Sequence, residues 1–181
     1  MKYQIKKANE LTEKEIEHIL QLWEVTEWNM MKPDYFRVFF KDSEFHLLLD
    51  DTSEILAIIR VNFDFTLKIL EEEYSFAEVV GFVATLRKKG YGSRLIQYFT
   101  ENVKERNRET IGFCHSELRP FYEKHEIEIL YDKAKMIKEN RGSEWINSDD
   151  DDILIFKVSD ERKKLLSQLS TKNNAYLITK E

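Results

Sequence analysis

Between Val79 and Val103 the spacing of apolar residues changes once, and that change constrains everything around it. Val79, Val80, Phe82, Val83 and Ala84 form a run too apolar and β-branched to stand in water, whereas Leu95, Ile96, Phe99 and Val103 recur at helical spacing. The stretch between them, Arg87-Lys88-Lys89-Gly90-Tyr91-Gly92-Ser93, therefore joins a buried strand to an amphipathic helix. Gly90 and Gly92 permit a tight turn and leave no Cβ in a ligand's way, and the N–H groups of a first helical turn have no partner inside the helix. With Arg87, Lys88 and Lys89 beside them, the junction is an anion site suited to a diphosphate. Two nucleotide readings fit poorly. No Gly-Lys-Ser/Thr follows, as a Walker A loop requires, and the third position after Gly92 is Leu95 where a dinucleotide fingerprint needs Gly or Ala.

Strand-like and helix-like segments alternate along the chain. Tyr3 to Ala8 reads as a strand; Thr12 and Glu15 then form a capping box, with Leu11 and Ile16 as a hydrophobic staple, opening a helix to about Val25. Pro33 suits the first turn of a short helix carrying Tyr35, Phe36, Phe39 and Phe40, an aromatic density that predicts a cleft border or packing on a sheet. Phe45 to Leu49 and Ile55 to Phe65, separated by Asp50-Asp51-Thr52-Ser53, read as a hairpin. Glu71-Glu72-Glu73 is a solvated turn before a central strand from Tyr74 to about Thr85. Further strands are expected at Thr110 to Cys114, near Ile127 to Tyr131 and at Ile153 to Val158, with a helix from Pro120. Leu165, Leu166 and Leu169 suggest a helix opened by Asp160, and Tyr176 to Ile178 a short strand or docked tail. Asp149 to Asp152 lack the spaced ligands and glycine of a calcium loop, so a solvated, self-repelling loop is expected, able to steer a polycation if it overhangs a cleft.

Composition narrows the classes. A chain of 181 residues with 42% hydrophobic content is long enough for one domain with a real core and short for two. No apolar run reaches the roughly 18 residues of a membrane helix, and Met1 to Lys7 lack the apolar stretch of a secretion signal, so a cytoplasmic protein without a membrane partner is expected. Cys114 is the only cysteine, which excludes an internal disulfide or a zinc cluster, and no metal is expected. Formal net charge is −6 with no long basic tract, which argues against a nucleic-acid partner. His18, His46 and His125 are scattered and suggest no site. Adjacent strand residues face opposite ways, so Cys114 and His115 do not easily converge on a metal, and a buried structural thiol is the better reading of Cys114.

The stretch from Arg87 to Gly92 resembles the Arg/Gln-x-x-Gly-x-Gly/Ala acetyl-coenzyme A signature of the GCN5-related N-acetyltransferase (GNAT) superfamily. A second segment, Phe113-Cys114-His115-Ser116-Glu117-Leu118-Arg119-Pro120-Phe121-Tyr122-Glu123-Lys124, resembles the fifth-strand and fourth-helix region of the same superfamily. Its wording is closest to the aminoglycoside 2'-N-acetyltransferase branch. Two departures stand out: His125-Glu126-Ile127 replaces a Gly-aromatic turn, and Ala84 replaces a proline often found before the cofactor loop.

The resemblance implies an α/β single-domain fold over residues 1–181, with a cofactor core at about 74–130 and a C-terminal strand, helix and tail at about 153–181. It implies a mixed, mostly antiparallel sheet of about six or seven strands flanked by helices and splayed between the fourth and fifth strands. Backbone near Val80, Gly81 and Phe82 would receive the pantetheine, and Arg87, Lys88, Lys89, Gly90, Tyr91, Gly92 and Ser93 would wrap the pyrophosphate. The implied activity is acetyl transfer from acetyl-coenzyme A to a primary amine. Glu78, the only acid in the apolar part of the central strand, matches the family's general base, and Tyr122 the tyrosine that protonates the leaving thiolate. A solvent-facing Glu78 and a merely packed Tyr122 are the bland alternatives. Acidic charge favours a small cationic acceptor, aminoglycoside-, polyamine- or amino-acid-like, with a peptide amine still open. A non-catalytic acyl-coenzyme A sensor or interaction module is the rival reading, a nucleotide-binding protein a weaker one, and a homodimer is left open.

Overall fold

In the computed structural model, residues 1–178 are described, and their internal contacts divide them into two compact units. The first comprises Met1–Phe63 and Val79–Asn102; the second comprises Asp64–Glu78 and the residues from Val103 onward.

The first unit opens with β1 (Lys2–Lys7). α1 (Glu13–Trp23) starts at Thr12, whose hydroxyl accepts from Glu15 N at 3.2 Å while the Glu15 carboxylate accepts from Thr12 N at 2.8 Å. This reciprocal cap contributes about 1 kcal/mol. Its staple residues Leu11 and Ile16 are both buried, and the helix stops at Glu24, which takes a left-handed conformation. α2 (Pro33–Phe39) begins with proline in its first turn and buries Phe36, leaving Tyr35, Val38 and Phe39 exposed. β2 (Ser43–Leu49) pairs antiparallel with β1 and with β3 (Ile55–Ile69). The turn between β2 and β3 is built by Asp50, whose Oδ1 accepts from Thr52 N, Thr52 Oγ1 and Glu54 N at 2.8, 2.8 and 2.9 Å. β4 (Glu72–Ala84) leads through the glycine loop to α3 (Tyr91–Glu105). A core of Ile16, Ile19, Phe36, Phe45, Leu47 and Ile58 packs α1 and α2 on the strands.

The second unit takes Asp64 to Ile69 of β3 and Glu72 to Glu78 of β4 and adds β5 (Thr110–Cys114), α4 (Arg119–Lys124) and β6 (Glu128–Leu130). It continues with β7 (Ile137–Arg141), β8 (Glu144–Asn147), β9 (Asp152–Lys157), α5 (Asp160–Ser167) and β10 (Ala175–Ile178). Strand order here is β6-β9-β5-β4-β3-β10-β7-β8. β9 lies between β5 and β6, antiparallel to both, with Cys114 opposite Asp152. β10 runs antiparallel to β3 and parallel to β7, so Tyr176 to Ile178 are a strand. α5 is capped by Ser159, whose Oγ accepts from Arg162 N, one residue before the Asp160 expected to open it.

The fold is α/β with a mixed, open sheet and the GNAT arrangement expected. The described residues form ten strands, more than the six or seven anticipated, because the β7–β8 hairpin and β10 extend the second unit's sheet. The hairpin escaped the sequence reading because Ile137 is its only buried residue and no alternation marks it.

Candidate active site

In the first unit, β4 carries an irregularity at Gly81, whose φ of +62° breaks the strand's pleat. The Gly81 carbonyl accepts a hydrogen bond from Trp23 Nε1 at 2.9 Å, and a Cβ built on Gly81 would lie 2.8 Å from that nitrogen. Glycine is required there by both conformation and space. Val80, Gly81 and Phe82 are half-buried on this kinked stretch, and the strand ends where Thr85 N and Oγ1 both donate to the Leu56 carbonyl.

The loop beyond is exposed. Arg87, Lys88 and Lys89 make no ion pair among the described residues, and Lys88 and Gly90 have φ of +61° and +78°. Alternating backbone handedness of this kind turns successive N–H groups toward one side. Helix α3 starts as Arg94 N bonds the Gly90 carbonyl, which places Tyr91, Gly92 and Ser93 in its half-buried first turn. A Cβ at Gly90 would meet no atom within 4 Å, and one at Gly92 would make only ordinary contact, 3.5 Å from Phe82 Cζ.

In the second unit, Glu78 is half-buried between buried Ala77 and Val79, and Ala77 N pairs with the Glu109 carbonyl ahead of β5. Tyr122 is only 7% exposed, its ring edge-on to Phe121, and its hydroxyl has no hydrogen-bond partner among the described residues. Burial, then the neighbouring Cys114 and Asp150, push the phenol above its ordinary pKa, so it stays protonated. Burial also pushes the Cys114 thiol up to about 12, reinforced by Asp152 and Asp150, in keeping with an inert, buried cysteine. Asp150 is itself raised by burial, with His115 opposing.

The aspartate run is not the solvated loop its sequence suggested. Asp152 is fully buried, accepting from Arg119 Nε and Nη2 at 2.6 and 2.7 Å and from Asp132 N at 2.8 Å. Asp151 accepts from Ser116 N at 2.7 Å and pairs with Lys135 at 2.9 Å; Asp149 pairs with Arg141 at 3.3 Å. These bonds tie the start of β9 to the segment that carries Tyr122. The turn after α4 resolves the family departure: Glu126 takes φ +56°, the left-handed role of the missing glycine, while His125 N and Ile127 N both bond the Tyr122 carbonyl.

Residues 8–127 match the Acetyltransferase (GNAT) family. The chain belongs to the GNAT family. Among solved structures it resembles Escherichia coli YhbS, a GNAT N-acetyltransferase crystallised with CoA, at a TM-score of 0.59 and 9% identity over 97% of this chain and 87% of that one. It also resembles an acyl-CoA N-acyltransferase from Pseudomonas aeruginosa (TM-score 0.54, 13% identity, 84% and 97% covered). Tetrahymena GCN5 is a third (TM-score 0.52, 17% identity, 88% and 99% covered). At such identities these likenesses show the fold. No curated protein sequence matches at a significant level.

GNAT membership brings acyl transfer from an acyl-coenzyme A as the general chemistry. Among the described residues no three His, Cys, Asp or Glu side chains are grouped to hold a metal ion, and no helix is long and apolar enough to cross a membrane. Of the expected site residues, Glu78 and Tyr122 fall in the second unit and the rest in the first. Two residues of interest were not singled out from sequence. Trp23 is a half-buried aromatic of α1 with no motif to mark it, and its partner Gly81 was expected only to receive the pantetheine, not to accept from an indole. Asp150 was one of four identical neighbours, and nothing local distinguished it.

Proposed function

We propose that this GNAT protein transfers the acetyl group of acetyl-coenzyme A to a primary amine of a small, cationic acceptor. The observation that carries the reading is Tyr122: a nearly buried phenol, in the position the family motif assigns to the acid, kept protonated by its surroundings and without a hydrogen-bond partner among the described residues. The glycine bend and its three cations hold the donor's pyrophosphate, and backbone near Val80, Gly81 and Phe82 receives the pantetheine. An ammonium has no lone pair to offer, so Glu78 takes its proton, directly or through water. The freed amine attacks the thioester carbonyl, its nitrogen then giving up a second proton to solvent, and the charge that develops on the carbonyl oxygen is met by a backbone N–H of the fourth strand. When the C–S bond breaks, Tyr122 donates to the departing sulfur. A thiol of pKa near 8.5 is a fair leaving group, so a hydrogen bond suffices and full proton transfer follows from solvent.

The net charge of −6 supports a cationic acceptor, and the wording of the segment from Phe113 to Glu123 supports one of the aminoglycoside type. Thiol release measured against aminoglycosides, polyamines and amino-acid amides is the test. Turnover is expected with at least one amine, with Tyr122→Phe and Glu78→Gln each lowering kcat by on the order of a hundredfold while thermal stability is kept. Binding of acetyl-coenzyme A without thiol release for any amine would make the protein a sensor instead.

A further inference from the structure

In the second unit, β4 runs past the start of its neighbour β5. Ala77 N still reaches the Glu109 carbonyl at 2.8 Å, but the Ser75 carbonyl before it is met by a side chain, accepting from Arg162 Nη1 at 3.0 Å. A cavity of about 640 Å³ opens in this notch, between the loop that leads into β5, the end of β9 and the start of α5. Its charge runs against that of the chain. Arg108, Lys157 and Arg162 line it against one acid, Glu109, in a protein whose formal net charge is −6. That acid is already engaged at both oxygens: Oε1 accepts from Ser159 N at 2.7 Å, and Oε2 pairs with Arg162 Nη1 at 2.5 Å.

The donors, by contrast, are in surplus. Both polar contacts of Arg162 run through Nη1, so Nη2 and Nε make no hydrogen bond among the described residues, and the guanidinium is held over the rings of Tyr74 and Phe76, 5.4 Å from each centroid. Lys157 Nζ gives protons to the Lys104 and Arg106 carbonyls and keeps a third. The Ser159 hydroxyl accepts from Arg162 N and has its own proton to give, and the Asn107 amide has no partner among the described residues. We propose that this cavity is a binding site for a small-molecule oxyanion, a phosphate or carboxylate group that seats on the Nε–Nη2 edge of Arg162 beside the Lys157 ammonium. Two N–H groups side by side on a guanidinium match the two oxygens of either group. The volume leaves room for the organic body that carries it, with Val158 as an apolar wall. None of these residues belongs to the site proposed for acetyl transfer, and the inference stands apart from that reading.

The test is an amide NMR titration of the full chain with inorganic phosphate and with succinate at constant ionic strength. It is run in the Arg87→Ala, Lys88→Ala, Lys89→Ala triple variant, so that the glycine bend cannot answer for the cavity. Amides of Asn107 to Glu109 and Val158 to Arg162 should shift saturably, with a Kd of about 1 mM or below for at least one of the two ions. The ion that binds tells a phosphoryl source from a carboxylate one. Adding Arg162→Gln is expected to weaken that binding about tenfold. Because this change also breaks the pair with Glu109, Asn107→Asp serves as the second variant: it removes no hydrogen bond among the described residues and sets a negative charge on the cavity wall. Binding should weaken several-fold there with the melting temperature unchanged. The absence of shifts for both ions, or shifts that climb without saturating to about 20 mM, overturns the inference. Saturable shifts that Asn107→Asp leaves as strong as before overturn it equally.

Discussion

Two runs of like charge in this chain meet opposite fates. Arg87, Lys88 and Lys89 stand exposed on a loop of left-handed turns, without an ion pair among the described residues. Three of the four aspartates at 149–152 have partners from within: Asp152 in Arg119 and the Asp132 amide, Asp151 in Ser116 and Lys135, Asp149 in Arg141. Unspent charge at a glycine bend is available to a ligand, and spent charge at a strand entrance is architecture. What separates the two is the presence of partners far along the chain, 33 residues away for the Arg119–Asp152 pair.

The sharpest way to break this contrast is through Cys114, which burial, reinforced by Asp152 and Asp150, keeps neutral. With its pKa moved from 9.0 to about 12, the thiolate fraction at pH 8 falls on the order of a thousandfold, and iodoacetamide labelling of the folded protein should slow at least that much relative to the unfolded chain. Fast labelling of the native state would mean that the thiol beside the run is open to solvent after all. Next, Asp152→Ala leaves the Arg119 guanidinium and the Asp132 amide unpaired and should lower the melting temperature by about 10 °C. Replacing Arg87, Lys88 and Lys89 together by alanine should leave the melting temperature alone and weaken coenzyme A about thirtyfold by calorimetry. A stability loss in the triple variant would show that the loop cations are structural too.

A pH titration sharpens the same point. Lys135, then the Ser116 amide, hold Asp151 below the ordinary carboxylate range, so its contribution to stability is fully present above pH 3.8 and is lost as pH falls through the lower folded value. Asp151→Asn should flatten the acid limb of melting temperature against pH, and an unchanged limb would remove Asp151 from the account. Gly92→Ala gives the smallest effect. Its Cβ makes only ordinary contact with Phe82, so stability should change by no more than about 0.5 kcal/mol while coenzyme A affinity falls by a few fold.

Much of the scaffold was legible because its signals are local. The Thr12–Glu15 cap, the Asp50 turn and the junction from strand to α3 each complete their hydrogen bonds within a few residues, and each was found where its sequence placed it. Contacts with remote partners were not legible. A buried carboxylate at 152 cannot be told from an exposed one without knowing that Arg119 will meet it, and Trp23 is one more apolar residue until Gly81, 58 positions later, turns its carbonyl toward it. The β7–β8 hairpin failed for a different reason: it is held through backbone pairing, and its residues are mostly polar, with Ile137 alone buried and neither period to read.

β10 has a consequence for how the second unit is assembled. It pairs with β3 on one side and β7 on the other, and among the described residues β7 has no neighbour but β10 and β8. The hairpin is thus moored through a strand whose partners at Thr66 to Lys68 were made more than a hundred residues earlier. Closing so long a loop is slow compared with forming a local turn. In pulse-labelled refolding, the β7 amides that face β10 should gain protection late and together with those of β10, well after α1 and the β2–β3 hairpin have settled.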